Sequence, residues 1–84
     1  MPYSYRADVA EALLTHGVRA TSDTPPELAH EFVSDLYRHE LRRLRDRLLR
    51  KEFPKHEYYG RVVELRKRYA ILSMPAAEWL APGP

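Results

Sequence analysis

Apolar residues near the start of the chain return at helical intervals: Tyr5, Val9, Ala12, Leu13 and His16 share one face and predict an amphipathic helix over residues 4–16. Gly17 follows where a left-handed cap residue is wanted, and Val18 stands in the position that packs back on the last turn. The next start signal is Thr24-Pro25-Pro26-Glu27, which reads as a capping threonine, a proline at the first helical position and a glutamate completing a capping box. From Glu27 to Glu52 neither proline nor glycine interrupts, and Pro54 disfavours helix at Phe53. A helix over residues 25–52 follows, about 40 Å long at 1.5 Å per residue. That exceeds the roughly 30 Å diameter of a compact chain of this size, so an elongated form is expected.

The apolar stripe of this long helix changes character midway. Leu28, Ala29, Phe32, Val33, Leu36 and Tyr37 make a broad band, whereas Tyr37, Leu41, Leu44 and Leu48 make a narrow one, rotated by about a quarter turn. The two halves therefore call for different neighbours. Steps of four, three and four recur in Tyr58, Val62, Leu65, Tyr69 and Leu72, which predict a helix over residues 55–71. Two seams of one period joined by a short turn make an antiparallel hairpin, with Leu48 near Tyr58, Leu44 near Val62, Leu41 near Leu65 and Tyr37 near Tyr69. The first helix is expected to lie against Leu28, Phe32 and Leu36. After the break at Ser73-Met74-Pro75, a helical turn over residues 75–80 presents Trp79 as a lid on the core, and residues 81–84 form a frayed tail. The expected fold is thus all-α: one small domain over residues 1–84, in which a long central helix forms an antiparallel hairpin with the next. A short N-terminal helix and a C-terminal helical turn complete it.

Composition narrows the chemistry. The chain of 84 residues has no cysteine, which removes disulfides, thiolate nucleophiles and cysteine-based zinc sites, and its three glycines do not cluster into a phosphate-binding loop. Its four serines lie on separate segments without a nucleophile elbow. His30-Glu31, His39-Glu40 and His56-Glu57 repeat one dipeptide but never continue to a second metal-binding histidine, and Glu31, Asp35 and His39 suit a solvated helix face better than a ligand set. So small a core also argues against a deep catalytic cleft. The expectation is a protein that is not an enzyme, with no catalytic, cofactor-binding or metal-binding residues and no small-molecule substrate. No apolar run approaches a membrane span, and the N-terminus lacks an uncharged stretch, so a cytoplasmic location without membrane attachment is expected.

Charge supplies the positive signal. The formal net charge is only +2, yet residues 1–37 carry −4 and residues 38–68 carry +7. This segregation points to an acidic partner for the basic part, or to association of unlike ends. Arg38, Arg42, Arg43, Arg45, Arg47, Arg50 and Lys51 fill nearly everything outside the leucine seam of the long helix, and Arg61, Arg66, Lys67 and Arg68 continue the pattern on the next. The planar fork of arginine suits carboxylates and phosphates. Asp46 is spaced to reach Arg42, Arg43 and Arg50. Tyr59, Val63 and Ala70 form a second apolar strip beside the seam, with Gly60 permitting close approach. Two functions fit. One is a noncatalytic protein-interaction module or accessory subunit, binding a protein partner or itself as a homodimer. The other is a nucleic-acid-binding protein that uses the same arginines on phosphates.

From Leu41 to Tyr69 the order of features resembles the SHOCT type of short helical hairpin: Leu41, Leu44 and Leu48, a turn at Lys51-Glu52-Phe53-Pro54, then Glu57-Tyr58 opening the second helix. That family usually carries glycine where Lys51 stands and a serine or threonine cap where Pro54 stands. The resemblance covers about a third of the chain and implies a noncatalytic interaction or oligomerisation element.

Overall fold

The computed structural model describes residues 3–82, and these are all-α: helix α1 spans Ala7–Thr15, α2 spans Pro26–Leu49 and α3 spans Tyr58–Arg68. Turns of 3-10 helix at Lys55–Glu57, Ala70–Ser73 and Ala76–Trp79 complete the elements. The described residues form two units, one made of residues 3–34 and 71–82 and the other of residues 35–70. Residues 26–34 of α2 thus belong to one unit and residues 35–49 to the other.

In the first unit the apolar period of α1 has the expected consequence, since Val9 and Leu13 are buried. The helix begins at Ala7 rather than Ser4 because the backbone of residues 4–6 is engaged elsewhere. Tyr5 and Leu80 form an isolated antiparallel bridge, flanked by the Arg6 N–H on the Trp79 carbonyl at 3.0 Å and the Ala81 N–H on the Ser4 carbonyl at 2.7 Å. Tyr5 therefore stands before the helix instead of on its face, and its hydroxyl donates to the Thr24 carbonyl at 2.6 Å. Burial, then the nearby Glu27, pushes that phenol's pKa upward. Ala81 is tied down rather than frayed, while Gly83 and Pro84 of the expected tail lie outside the described residues.

Gly17 ends α1 as the sequence predicts. Its φ is +75°, its N–H bonds the Leu14 carbonyl, and the Val18 N–H bonds the Leu13 carbonyl, the two bonds of a Schellman cap. At the other junction the start signal shifts by one residue. The Thr24 hydroxyl accepts the Thr21 N–H at 3.1 Å, closing a turn rather than capping a helix. The Pro25 carbonyl receives the Leu28 and Ala29 N–H groups, so Pro26 occupies the first helical position, where its missing N–H costs nothing.

The larger correction concerns the interior of this unit. Ala29 and Val33 are buried, whereas Leu28 and Phe32, expected to meet the first helix, are 59% and 54% exposed. The small residues are the buried ones in a unit that also buries Trp79. Trp79 is 0% exposed, so it is part of the core itself rather than a lid over it. Its indole N–H donates to the Ile71 carbonyl at 3.3 Å, and the His30 ring lies 4.9 Å from its own. An aromatic of that size leaves α2 room for alanine and valine at its contact positions.

In the second unit α2 packs against α3 as the matched seams require. Leu44, Leu65 and Tyr69 are buried, and the Tyr37 and Tyr69 rings lie 5.2 Å apart, the pairing expected from the seam register. Helix α2 ends at Leu49 rather than at residue 52. The Lys51 N–H bonds the Leu48 carbonyl and the Glu52 N–H bonds the Arg47 carbonyl, a second Schellman cap, with Lys51 itself at φ +59°. A lysine thus takes the left-handed position that glycine usually fills. The side-chain contact that accompanies such caps is ionic here, Arg47 Nε to Glu52 Oε1 at 3.1 Å. Beyond the cap the chain turns Phe53 inward, where it is buried.

Candidate interaction surface

The hairpin of α2 and α3 has two flanks, one on each side of the seam. The first is an open groove of about 820 Å³, floored by Leu44 and Leu65 and edged by Arg43, Arg47, Gly60, Arg61, Glu64 and Arg68. Its charges are mostly satisfied internally, Arg43 excepted, which is exposed and forms no ion pair among the described residues. Glu57 holds Arg61 at 3.2 Å, Glu52 holds Arg47 and Arg50, and Lys67 reaches Glu64 at 3.4 Å. Glu40 accepts the Tyr69 hydroxyl and has the Arg68 guanidinium 3.9 Å away. Burial and this carboxylate push the Tyr69 phenol up to about 12, against a weaker opposing pull from Arg68. Within the same unit, Arg61 lies 4.2 Å from the centroid of the Phe53 ring and Arg47 lies 5.6 Å from it. The buried Arg61 Nε has no hydrogen-bond partner and is placed beside the ring, whose electron-rich face compensates part of its desolvation.

The opposite flank follows from the helical period. With 43 and 47 on the groove side of α2, and 60, 61, 64 and 68 on the groove side of α3, residues 42, 45 and 49 fall across the seam, as do 59, 63, 66 and 70. The Tyr37–Tyr69 pairing sets an antiparallel register that brings Tyr59 level with Arg45 and Leu49, and Val63 level with Arg42 and Arg45. Leu49 and Tyr59 are 68% and 74% exposed, and Val63 is half-buried. Arg42, Arg45 and Arg66 are exposed and form no ion pair among the described residues. Asp46, spaced to reach several of its neighbours, pairs with none of them.

The structure thus divides the arginines that the sequence presents as one face. Arg43, Arg47, Arg61 and Arg68 belong to the groove, and Arg50 and Lys51 lie at the cap. Lys67 is held by Glu64 and Arg38 by Asp35, an ion pair that also occupies one carboxylate of the trio with Glu31 and His39. Arg42, Arg45 and Arg66 share the second flank with Tyr59, Val63 and the exposed Ala70. Gly60 lies on the groove side, and a methyl group added there meets nothing within 4 Å, so its placement does not support close approach to the Tyr59 strip. Sequence reasoning missed Leu49, which the steps of three and four from Arg42 and Arg45 place on this flank.

Among the described residues no helix is long and apolar enough to cross a membrane, and no group of three histidine, aspartate or glutamate side chains is placed to hold a metal ion. Compared with protein-family models, curated proteins and solved structures, the chain shows no match.

Proposed function

We propose that this protein is a noncatalytic helical interaction module, whose α2–α3 hairpin receives an acidic, amphipathic protein partner in the cytoplasm. One observation carries the reading: Arg42, Arg45 and Arg66 lie exposed without carboxylate partners beside exposed Leu49 and Tyr59. Large apolar side chains on an arginine-lined face suit a protein surface that offers both carboxylates and apolar contacts. Phosphate binding uses the arginines but gives Leu49 nothing to bury, and the exposed carboxylate of Asp46, between Arg45 and Arg47 in the chain, opposes a polyanion. Nucleic-acid binding through the same arginines is therefore the alternative outcome of the test.

The test is titration with a labelled helical peptide of glutamate and leucine in heptad spacing, alongside a short DNA duplex, in about 0.05 M and about 0.5 M salt. Peptide binding that weakens but persists at high salt, and that falls roughly tenfold or more in R42E/R45E, is the expected result. Tight duplex binding that collapses at high salt transfers the function to nucleic acid. Binding of neither probe overturns the reading.

A further inference from the structure

The second flank of the hairpin, read as above, suits a ligand surface that is both acidic and apolar, and this chain carries such a surface itself. In the first unit Leu28 and Phe32 stand one turn apart on α2, both more than half exposed. Glu27 and Glu31, also one turn apart, form the adjacent row, are exposed, and make no ion pair among the described residues. Leu14, 55% exposed on α1, and the unpaired Glu11 one turn before it repeat the combination in the same unit. The charge segregation of the sequence therefore appears as two unfilled surfaces, each an apolar pair edged by charge, of opposite sign and equal number in every molecule.

We propose that a second copy of this chain is the partner, seating its Leu28 and Phe32 ridge against Leu49, Tyr59 and Val63, with Glu27 and Glu31 facing Arg42 and Arg45. The proposal rests on the function proposed above and names the partner for the same face. Apolar contact supplies the affinity, and the opposed charges set orientation and exclude pairing of like surfaces. Solvent-exposed ion pairs contribute little individually, so the contact depends on Leu28 and Phe32 as much as on the glutamates.

The experiment is sedimentation of the full chain at concentrations up to about 100 μM, an ample range for a micromolar contact. The wild type is expected to sediment above the monomer mass, with the excess falling as it is diluted. E27R/E31R and R42E/R45E are each expected to remain monomeric alone and to associate when mixed, because both cross-pairings in the mixture are complementary. The reversed ridge of the first variant faces the reversed flank of the second, and the native flank of the first faces the native ridge of the second. Phe32→Ser tests the apolar half and is expected to weaken self-association at least tenfold. Far-UV circular dichroism shows that each variant is folded, which the exposure of all these positions favours. A wild type that stays monomeric, or an association untouched by charge reversal, overturns the proposal. If the chain is monomeric but still binds the glutamate–leucine peptide, the second copy is excluded and the interaction function stands. If it binds neither, both fail.

Discussion

Each unit buries an aromatic residue, Trp79 in one and Phe53 at the hairpin turn in the other, and the two are enclosed in opposite ways. Trp79 is fully buried in the unit that also buries Val9, Leu13, Ala29 and Val33, its indole N–H bonded to a backbone carbonyl, with the Tyr5–Leu80 bridge beside it. Phe53 is covered by the guanidinium groups of Arg47 and Arg61, which are themselves held by Glu52 and Glu57. One enclosure is a closed apolar core. The other is a ring under a charged cover whose outer side is wet. Two helices and a turn supply too few neighbours to bury an aromatic with apolar groups alone, and arginine meets the shortage with a side chain that is apolar and stackable along its face and charged at its edge. The same economy leaves the hairpin's second flank open, since the residues that could cover it are absent from so thin an element.

The largest expected effect is at the closed core. Trp79→Ala removes the side chain around which the first unit packs and is expected to cost about 3–5 kcal/mol, a large part of the stability of a domain this small. Urea unfolding followed by far-UV circular dichroism measures it, since Trp79 is the chain's one tryptophan and its fluorescence is lost with the substitution. A cost below about 1 kcal/mol contradicts the central position of Trp79. The charged cover of Phe53 predicts a different response. Phe53→Leu keeps apolar volume but removes the ring face, and is expected to cost roughly 1–2 kcal/mol. In an Arg61→Met background the same change should cost less by about 0.5–1 kcal/mol, because the stacking is already gone. Strict additivity in that double-mutant cycle shows that the guanidinium does not stabilise the ring.

The units also differ in how far the sequence revealed them. The hairpin was legible because its two seams repeat one period, and matched periods fix both the pairing and its register; Tyr37 against Tyr69 is the direct consequence. The first unit was legible at its helix stop, where Gly17 has a single local meaning, but not at its core. Periodicity ranks Leu28 and Phe32 above Ala29 as core candidates because it weighs size, whereas Trp79, near the far end of the chain, reverses that ranking by filling the space. A contact between residues some fifty positions apart leaves no trace in local spacing. The bridge that pulls residues 4–6 out of helix is nonlocal in the same way. For the candidate surface, the basic composition was visible at once. The partition into a groove whose arginines other than Arg43 are paired and a flank whose arginines are not was hidden, because it depends on which carboxylate each arginine meets once the hairpin closes.

The two helix stops permit a finer comparison, since both are Schellman caps and they differ at the left-handed residue. Gly17→Ala introduces a Cβ at φ +75° in otherwise open space, so its cost, about 1 kcal/mol, is conformational alone. Lys51→Gly relieves the corresponding strain at φ +59° and is expected to gain about 0.5–1 kcal/mol, less whatever freedom glycine adds to the unfolded chain. Thermal unfolding of the two variants beside the wild type should therefore move in opposite directions. A destabilised Lys51→Gly would mean that the lysine side chain contributes more than its backbone costs.

The smallest expected effect lies at high pH and isolates the one buried phenol of the hairpin. The Tyr69 hydroxyl donates to Glu40, and its pKa is raised from 10.0 to about 12 by burial and that carboxylate. A raised folded value means that the protonated phenol favours the folded state: its contribution is complete below pH 10.0 and is lost as the pH climbs through about 12. The Tyr69→Phe variant lacks this titration, while Tyr5, raised in the same direction, is present in both proteins and cancels in the difference. The urea midpoint of the wild type relative to Tyr69→Phe should therefore be level up to pH 10.0 and decline above it. A difference that stays level through pH 12 would place the hydroxyl in water instead of on Glu40, and with it would go a hydrogen bond that ties the side chains of α2 to the residue following α3.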